Sequence, residues 1–442
     1  MVTATDNVDA TLVLIDEAGL MLGALAPVRS TAPWWNLVAP IVQAVQTRDG
    51  LAVTVLRLLS AERPAPPGGA VTYLAQVAAP VPAALLRPWP GALPDDPRRN
   101  AYARPGGPQA DLAWARGALA THGLAPDGPA EQIRTWNLSS IWRLPLIGGA
   151  SAWLKAVPPF FAHEGALLER LAGAPVPRLL GRDGGRTLLA DIAGVDLHDA
   201  GLPQCHAMVD LLVALQARWL GRADELRALG LPDWRGPAIT AALAALLARR
   251  RAELPADARV RLDAFIADLP ARFDAVAACG LPVGLVHGDF HRGNLRGALE
   301  SDSGLAAAGR AFHGNGESSD ASGIDGATGL APLTLLDWGD SGIGHPLLDQ
   351  SAYLSRVPGP FVAPLRAHWA RAWQRWRPDA DVERAARLLA PVAAARMALI
   401  YQNFLDGIEA AEAPYHRADV VDWLLRTAGV LTGRESPAVG AG

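Results

Sequence analysis

The sequence predicts an α+β protein, in which a small α/β accessory module precedes a small lobe with an antiparallel sheet and a mainly helical large lobe. Three observations predict this order. Short apolar runs separated by turn residues occupy residues 1–100 and recur at 131–191. Long Ala, Leu and Arg stretches with helical periodicity, such as 204–219 and 238–251, dominate from about residue 198. The length of 442 residues is sufficient for two or three domains.

Residues 1–100 read as the accessory module. The expected elements are strands at 11–16, 20–25, 53–58 and 71–77 and a helix from Trp34 to Val45. Their order resembles that of a Nudix hydrolase, but the acidic pairs of that family's metal helix are absent between residues 34 and 50. A degenerate relative or a docking module is therefore expected. A Pro-rich connector at 80–108 marks the boundary.

The remainder divides into a small lobe at 105–195 and a large lobe at 196–432. In the small lobe we expect helices at 111–122 and 161–172 and strands at 131–144, 151–157, 178–181 and 186–191. A stretch rich in Ser, Gly and Asp at 298–331 interrupts the large lobe. Its composition predicts a disordered insertion. A passive insertion is favoured over a lid or regulatory role, because loop closure costs grow slowly with length.

Residues 287–294 read His-Gly-Asp-Phe-His-Arg-Gly-Asn and are the most informative segment. Four residues separate Asp289 from Asn294, the spacing of a phosphoryl-transfer loop in which Asp accepts the proton of the attacking hydroxyl and Asn holds Mg²⁺. An apolar strand further along ends on Asp337, as a second metal-binding Asp requires. Two carboxylates and one amide in this order indicate phosphoryl transfer, since hard oxygen ligands suit Mg²⁺.

Lys155 is the only lysine in the chain, and it ends a short predicted strand. Codon bias explains a single lysine, but a compact ammonium that fits between phosphates explains it better. Glu164, early on the following helix, is expected to pair with Lys155. No G-x-G-x-x-G turn precedes this strand. Ser139 and Ser140 are candidates to bind phosphate there, and a purely structural role in a hairpin turn is an equal alternative.

With these motifs, residues 105–430 resemble the aminoglycoside phosphotransferase and choline kinase family, small-molecule kinases of the protein-kinase-like bilobal fold. The resemblance implies ATP and Mg²⁺ as cofactors and a small-molecule hydroxyl as acceptor. It implies that Asp289 is catalytic, that Asn294 and Asp337 bind Mg²⁺, and that Lys155 binds ATP phosphates. Asp349 matches a position that braces the catalytic loop.

The resemblance also places acceptor contacts at 401–406 and Glu409, although a charged helix face explains these residues equally well. Asp340 is nearer to the catalytic segment in sequence and is a slightly better candidate. Trp369, Trp373 and Trp376 recur at helical spacing. Such a stripe is more typical of a core than of a substrate-stacking surface.

Composition limits the other classes of function. The net charge of -4 gives no indication of nucleic-acid binding. No apolar run has the length of a bilayer-spanning helix, and the N-terminus lacks a signal-peptide pattern. Cys205 and Cys279 are expected to be free buried thiols, and ATP use favours the cytoplasm. The sequence leaves the oligomeric state open.

Three hypotheses follow. The first is an ATP- and Mg²⁺-dependent kinase acting on a hydroxyl of a sugar, amino alcohol or aminoglycoside-like molecule. The second is a nucleotide-binding pseudokinase or ligand-sensing scaffold, which the loss of one site residue would have favoured. The third is a protein with a second, hydrolase activity in the N-terminal module, and the missing metal carboxylates argue against it.

Overall fold

A computed structural model describes residues 8–32, 34–63, 69–298 and 333–433 of the chain. The insertion expected at 298–331 lies outside these residues except for Ala298, and so do the first seven residues.

The N-terminal module is a five-stranded sheet with one helix. Its sheet has the order β2-β1-β5-β4, with β3 also pairing with β1. β1 and β5 run parallel, and the other pairs are antiparallel. Alternate residues of β1 pack against the helix in one apolar core, as the pleat of a strand requires. The elements are β1 Val8–Ile15, β2 Met21–Ala24, β3 Val28–Ser30, α1 Ala39–Asp49, β4 Val53–Ala61 and β5 Gly69–Val77.

The helix of this module begins later than the sequence predicted. The expected span of Trp34 to Val45 is wrong, because α1 runs from Ala39 to Asp49 with Pro40 in its first turn. Proline is favoured there, since its fixed φ suits a helix and the first N–H groups have no partner within the helix. Trp34 and Trp35 therefore lie in the segment that leads into the helix.

The same segment joins the module to the small lobe. The strand β6 (Glu131–Trp136) of that lobe receives a main-chain bridge between Leu37 and Arg134. The Thr135 N–H donates to the Asn36 carbonyl at 3.1 Å. The Gln132 side chain makes two hydrogen bonds, of 2.9 and 2.7 Å, to the backbone of Val55 in β4. Backbone pairing of this kind fixes the position of the module on the lobe.

The small lobe has an antiparallel five-stranded sheet in the order β6-β7-β8-β10-β9. Side chains alternate along β8, so that Ala152 and Leu154 enter the lobe core while Lys155 points to the opposite face. The helix expected at 161–172 spans His163–Arg170. The elements besides β6 are α2 Gly107–Thr121, β7 Ser139–Pro145, β8 Ser151–Ala156, α3 His163–Arg170, β9 Leu179–Asp183 and β10 Arg186–Ala190.

The large lobe is mainly helical, and the predicted α+β fold class, with an antiparallel-sheet small lobe before a helical large lobe, is confirmed. Its helices are α4 Leu202–Ala217, α5 Ala223–Ala228, α6 Gly236–Arg250, α7 Ala256–Ala277, α8 Leu348–Leu354, α9 Gly359–Gln374, α10 Val382–Gly407 and α11 Arg417–Val430. Its short strands are β11 Val195–Asp196, β12 Gly284–Val286, β13 Leu295–Gly297, β14 Thr334–Leu335 and β15 Gly342–Gly344. β12 pairs with β15 and β13 with β14, so the loops that hold Asp289 and Asp337 connect the same two pairs of strands.

Two predictions about apolar segments of this lobe have clear outcomes. Trp369 and Trp373 are fully buried in the core, whereas Trp376 is 50% exposed. Helix α10 is long and apolar enough to span a membrane by length and composition, contrary to the expectation from sequence. However, 61% of its apolar window is buried inside the protein, as is typical of the core helix of a folded domain.

Candidate active site

The loop between β12 and β13, which carries Asp289 and Asn294, is held by helix α8. The Asp349 carboxylate accepts the N–H groups of His287 and Gly288, each at 2.8 Å. It also accepts the side-chain amide of Gln216 at 2.8 Å. Asp349 is fully buried, and these donors compensate its loss of solvent. It therefore occupies the bracing position that the resemblance implied.

Gly288 permits a close contact between the two loops of the site. Its φ is +95°, a region that favours glycine. A Cβ at this position would lie 1.9 Å from the backbone oxygen of Asp340. Only glycine therefore allows the Asp289 loop and the Asp337–Asp340 loop to meet here.

Asp289 faces the cleft with two cationic or potentially cationic neighbours. The Arg356 Nη1 lies 2.5 Å from its Oδ1, and the His291 Nε2 lies 3.3 Å from its Oδ2. Burial alone would raise the pKa of Asp289, but the hydrogen bond from His291 and the charge of Arg356 hold it well below its usual range. The carboxylate is thus ionised at neutral pH and able to accept a hydrogen bond from a hydroxyl.

Asn294 lies beside Asp289 with its amide oriented. Its Nδ2 donates to the backbone oxygen of Asp289 at 2.9 Å and to Asp289 Oδ2 at 3.2 Å. Its backbone oxygen accepts the Leu336 N–H at 2.8 Å, one residue before Asp337. The two segments predicted to bind metal therefore run side by side.

Lys155 connects the small lobe to the Asp337 loop. Its Nζ lies 2.9 Å from Glu164 Oε1 and 2.7 Å from Asp337 Oδ1. Glu164 is buried and also accepts the Trp338 N–H at 3.1 Å. Asp337 is the only described non-glycine residue with positive φ, at 59°. This conformation costs energy that the surrounding contacts must offset.

The charges of Lys155, Glu164 and Asp337 shift one another's pKa values. Burial alone would lower the pKa of Lys155, but the carboxylates of Asp337 and Glu164 raise it above its usual value. The Lys155 charge in turn lowers the pKa of Asp337. Burial raises the pKa of Glu164 despite Lys155. The lysine is therefore a permanent cation that is oriented by the buried Glu164 and lines the cleft.

Asp340 is a carboxyl group of this site with a pKa near neutrality. Burial and the nearby charges of Asp289 and Asp337 raise its pKa to about 7. Three carboxylates at one end of the cleft repel one another unless cations separate them. This arrangement suits a site that receives a metal ion or a cationic group.

The two predicted serines have different positions. The Ser139 hydroxyl accepts the Trp136 indole N–H at 3.0 Å, and Ser139 lines the cleft. The Ser140 hydroxyl accepts the Trp142 indole N–H at 3.1 Å, and Ser140 is buried away from the cleft lining. The structure thus brings Ser139 to the cleft with Lys155, Glu164, Asp289, Asn294 and Asp337, and it does not bring Ser140 there.

The oxygen atoms of Asn294 and Asp337 fit a hard divalent cation. Because the Asn294 nitrogen is used by Asp289, the amide oxygen is directed elsewhere, and the Asp337 side chain is 54% exposed to the cleft. No group of three His, Cys, Asp or Glu side chains in the described residues has the arrangement of a metal site. An oxygen set of one amide and one carboxylate is nevertheless typical of Mg²⁺, which retains waters and binds phosphates.

Sequence reasoning missed several residues that line this cleft of about 890 Å³. Arg356 follows α8, and no local pattern distinguished it from the other arginines. Trp34 and Trp35 reach the cleft from the N-terminal module. Of the suggested acceptor contacts, Tyr401, Phe404 and Asp340 line the cleft, whereas Asp406 pairs with Arg249 and Glu409 pairs with Arg99.

The family comparison agrees with this geometry. Residues 147–297 match the family model described as the phosphotransferase enzyme family, which confirms the predicted resemblance. The matched segment includes Lys155, Glu164 and the whole catalytic loop. No curated protein matches the chain.

Several solved structures are similar to this one. A macrolide 2'-phosphotransferase from Brachybacterium faecium is 20% identical, with a TM-score of 0.43, and 71% of this chain covers 98% of it. A putative aminoglycoside phosphotransferase from Ralstonia eutropha is 16% identical, with a TM-score of 0.47, and the alignment covers 74% of this chain and 98% of that one. An ethanolamine kinase from Plasmodium vivax is 10% identical, with a TM-score of 0.48, and the alignment covers 74% of this chain and 86% of that one.

Proposed function

We propose that this protein, whose residues 147–297 match the phosphotransferase family model, transfers the γ-phosphoryl group of ATP to a hydroxyl of a sugar, amino alcohol or aminoglycoside-like molecule and requires Mg²⁺. The observation that carries the proposal is the Lys155 ammonium, bonded to Glu164 at 2.9 Å and to Asp337 at 2.7 Å in the cleft that Asp289 also lines. A cation, an ordered base and hard oxygen ligands in one cleft are the requirements of phosphoryl transfer.

Lys155 and Glu164 position the nucleotide in this proposal. Lys155 donates hydrogen bonds to nucleotide phosphates, and buried Glu164 keeps the ammonium directed toward them. Asn294 and Asp337 would hold Mg²⁺, which neutralises charge on the phosphates when bound. When phosphates replace Asp337 as a partner of Lys155, the Asp337 carboxylate becomes available as a ligand.

Asp289 orients the acceptor. Its carboxylate accepts the acceptor O–H, and a new O–P bond forms as the bond between the β–γ bridging oxygen and the γ-phosphorus breaks. The hydroxyl proton passes to Asp289, and ADP leaves with the bond's electron pair. Because its pKa is low, Asp289 takes this proton late, once the attacking oxygen has become acidic through bonding to phosphorus.

Arg356 stabilises the ionised form of Asp289 and is a positioning residue in this scheme. It lies 2.5 Å from Asp289 and lines the same cleft. In this scheme its guanidinium would also stabilise the negative charge that spreads over the transferring phosphoryl oxygens.

Thermal unfolding with Mg²⁺ and ATP tests the nucleotide site. A ligand at a hundredfold its dissociation constant stabilises a folded protein by roughly 2.7 kcal/mol, and this raises the midpoint temperature of unfolding clearly. We expect the rise to require Mg²⁺ and to be lost in Asp337→Asn. Asp224→Asn, at a side chain that is 93% exposed, is the matched control and should retain it. A wild-type protein that shows no rise with ATP or GTP would contradict the proposal.

An ATP-consumption screen then tests transfer. The panel contains sugars, amino alcohols, aminoglycosides, a macrolide and fructosamine, since proteins of similar structure include macrolide, ethanolamine and fructosamine kinases. Consumption that depends on one acceptor, and its loss in Asp289→Asn, would support a kinase. Nucleotide binding without acceptor-dependent consumption anywhere in the panel would favour the pseudokinase or ligand-sensing scaffold.

A further inference from the structure

The N-terminal module contributes directly to the lining of the cleft. Trp34 and Trp35, which precede helix α1, border the same cavity as Lys155 and Asp289. None of the catalytic groups described above belongs to this module. Its presence at the site therefore needs a separate explanation.

Trp34 and Trp35 belong to a larger set of rings from three separate parts of the chain. Trp35 lies 4.8 Å from Tyr415 and 5.8 Å from Trp136, measured between ring centroids. Trp34 lies 6.2 Å from Trp136, and His416 lies 6.0 Å from Trp136. His416 is also 6.1 Å from Tyr401. We call these six side chains the aromatic wall: Trp34, Trp35, Trp136, Tyr401, Tyr415 and His416.

The aromatic wall and Asp289 line the same cleft. Tyr401 of the wall lies on α10, and this helix contacts the loop that carries Asp289, because the Arg396 Nη2 donates to the Gly288 backbone oxygen at 2.6 Å. An acceptor whose hydroxyl reaches Asp289 would therefore have the wall beside it. We call this part of the cleft, between Asp289 and the wall, the acceptor end.

The wall is held rigidly on two sides. On one side, the Thr135 N–H donates to Asn36 next to Trp35, at 3.1 Å. On the other side, the turn after Trp136 is fixed to the C-terminal segment. The Asn137 N–H donates to Glu412 Oε2, and the Glu409 N–H donates to Asn137 Oδ1, both at 3.0 Å. A surface fixed before binding loses little conformational freedom when a ligand packs on it.

The wall is also open on its cleft side. Trp34, Trp136 and Tyr401 are each partly exposed, although their partners Trp35 and His416 are buried. Partly exposed rings on a rigid concave surface are typical of sites that bind apolar faces of ligands. A small, fully polar alcohol would leave most of this surface uncovered.

We propose that the N-terminal module is a substrate-binding part of the acceptor site, in which Trp34 packs against an extended apolar face of the acceptor and Trp35 supports it. This inference rests on the proposed kinase function and narrows its acceptor class to hydroxyl compounds with such a face. Asp340 and Asp419 line the same cleft, and their carboxylates favour acceptors that carry an amine beside that face.

The test measures binding to the protein already saturated with Mg²⁺ and AMP-PNP, a non-hydrolysable ATP analogue. A macrolide is the probe with an apolar face, and an aminoglycoside and ethanolamine are the polar probes. The variants are Trp34→Ala and the milder Trp34→Phe. Trp376→Ala is the control, because it removes a 50% exposed tryptophan that does not line the cleft.

We expect the macrolide to stabilise the wild-type nucleotide complex more than the polar probes do. Trp34→Ala should weaken its binding by about tenfold or more, the scale of one lost apolar contact surface, with Trp34→Phe intermediate and Trp376→Ala unchanged. The stabilisation by AMP-PNP itself should persist in Trp34→Ala, which shows that the variant is folded.

Each other result overturns the inference. Equal macrolide binding by Trp34→Ala and Trp376→Ala would show that the module is not part of the acceptor site. Stabilisation by the polar probes alone, or by none of the probes, would reject an apolar-faced acceptor while the AMP-PNP response left the kinase proposal intact. A wild-type protein without an AMP-PNP response would instead overturn the proposed function, and this inference with it.

Discussion

Lys155→Met tests whether the small lobe needs the lysine for stability as well as for nucleotide binding. The substitution removes the cation that lies 2.9 Å from Glu164 Oε1. Glu164 is 3% exposed, and its other oxygen has no partner among the described residues. The buried carboxylate would then retain only the Trp338 N–H at 3.1 Å.

The expected loss follows from burial. Removing one partner of a buried ion pair costs about 3–5 kcal/mol of unfolding free energy, because the other charge remains uncompensated. Asp337 adds little to this, since its side chain is 54% exposed and exposed pairs are worth roughly 0–1 kcal/mol. Protonation of Glu164 limits the loss. We therefore expect about 3 kcal/mol at pH 8.

The dependence on pH has a definite sign. Burial already raises the pKa of Glu164, and loss of Lys155 raises it further. The folded variant then binds a proton that the unfolded chain releases above its ordinary carboxyl pKa, so its stability falls as pH rises through the folded pKa. The difference from wild type should accordingly be smaller at pH 6 than at pH 8.

Urea unfolding at both pH values measures these differences. The double variant Lys155→Met/Glu164→Gln should recover most of the lost free energy of unfolding, because a neutral amide replaces the unpaired Glu164 carboxylate. Arg143→Met is the control, since Arg143 pairs with Glu131 at 3.6 Å on the surface of the same sheet, with both side chains over 40% exposed. A double variant as unstable as Lys155→Met, or a control that loses as much, would refute this reasoning.

Two further predictions concern Asp289 and Glu412, the buried carboxyl that accepts the Asn137 N–H at 3.0 Å. Asp289→Asn should retain Mg²⁺–ATP binding but lower turnover by about 10²-fold or more, which is the scale of a lost general base. Steady-state turnover equal to that of the wild type would show that Asp289 is not the general base. Burial raises the pKa of Glu412 to about 8, so the folded chain keeps a proton that the unfolded chain releases from about pH 4.5 upward. Between about pH 4.5 and 8, Glu412 should lower the wild-type free energy of unfolding by up to roughly 1.4 kcal/mol per pH unit. Glu412→Gln has no such proton to lose, so its free energy of unfolding in urea should fall less over the same pH range.

Local spacing and composition were sufficient to predict much of the candidate site. The four residues between Asp289 and Asn294 are a short-range pattern, and the chain's only lysine was visible by counting. These signals predicted that Lys155 pairs with Glu164 and that Asp337 belongs to the same site. The direct contact between Lys155 and Asp337, which are 182 positions apart, is seen only in the structure. The alternation of side chains along β8 then places Lys155 on the cleft face rather than in the core.

Tertiary contacts without a local pattern could not be predicted in this way. Arg356 lies in a loop, and only the fold brings it within 2.5 Å of Asp289. The neutral-range pKa of Asp340 arises from burial and from two carboxylates on other parts of the site. The apolar periodicity around Trp34 resembles a helix, and Pro40 in the first turn moves the helix start beyond it.

That shift in one helix start determines how the module relates to the cleft. Residues 34–37 form a turn, in which the Leu37 N–H donates to the Trp34 carbonyl at 3.0 Å. This turn makes the bridge from Leu37 to Arg134 and the bond from Thr135 to Asn36, and it places Trp34 at the cleft. The groups assigned to chemistry lie on the kinase-like lobes, whereas part of the surface assigned to acceptor choice comes from the module. Substitutions in the module should therefore alter which acceptor is used without altering the nucleotide site.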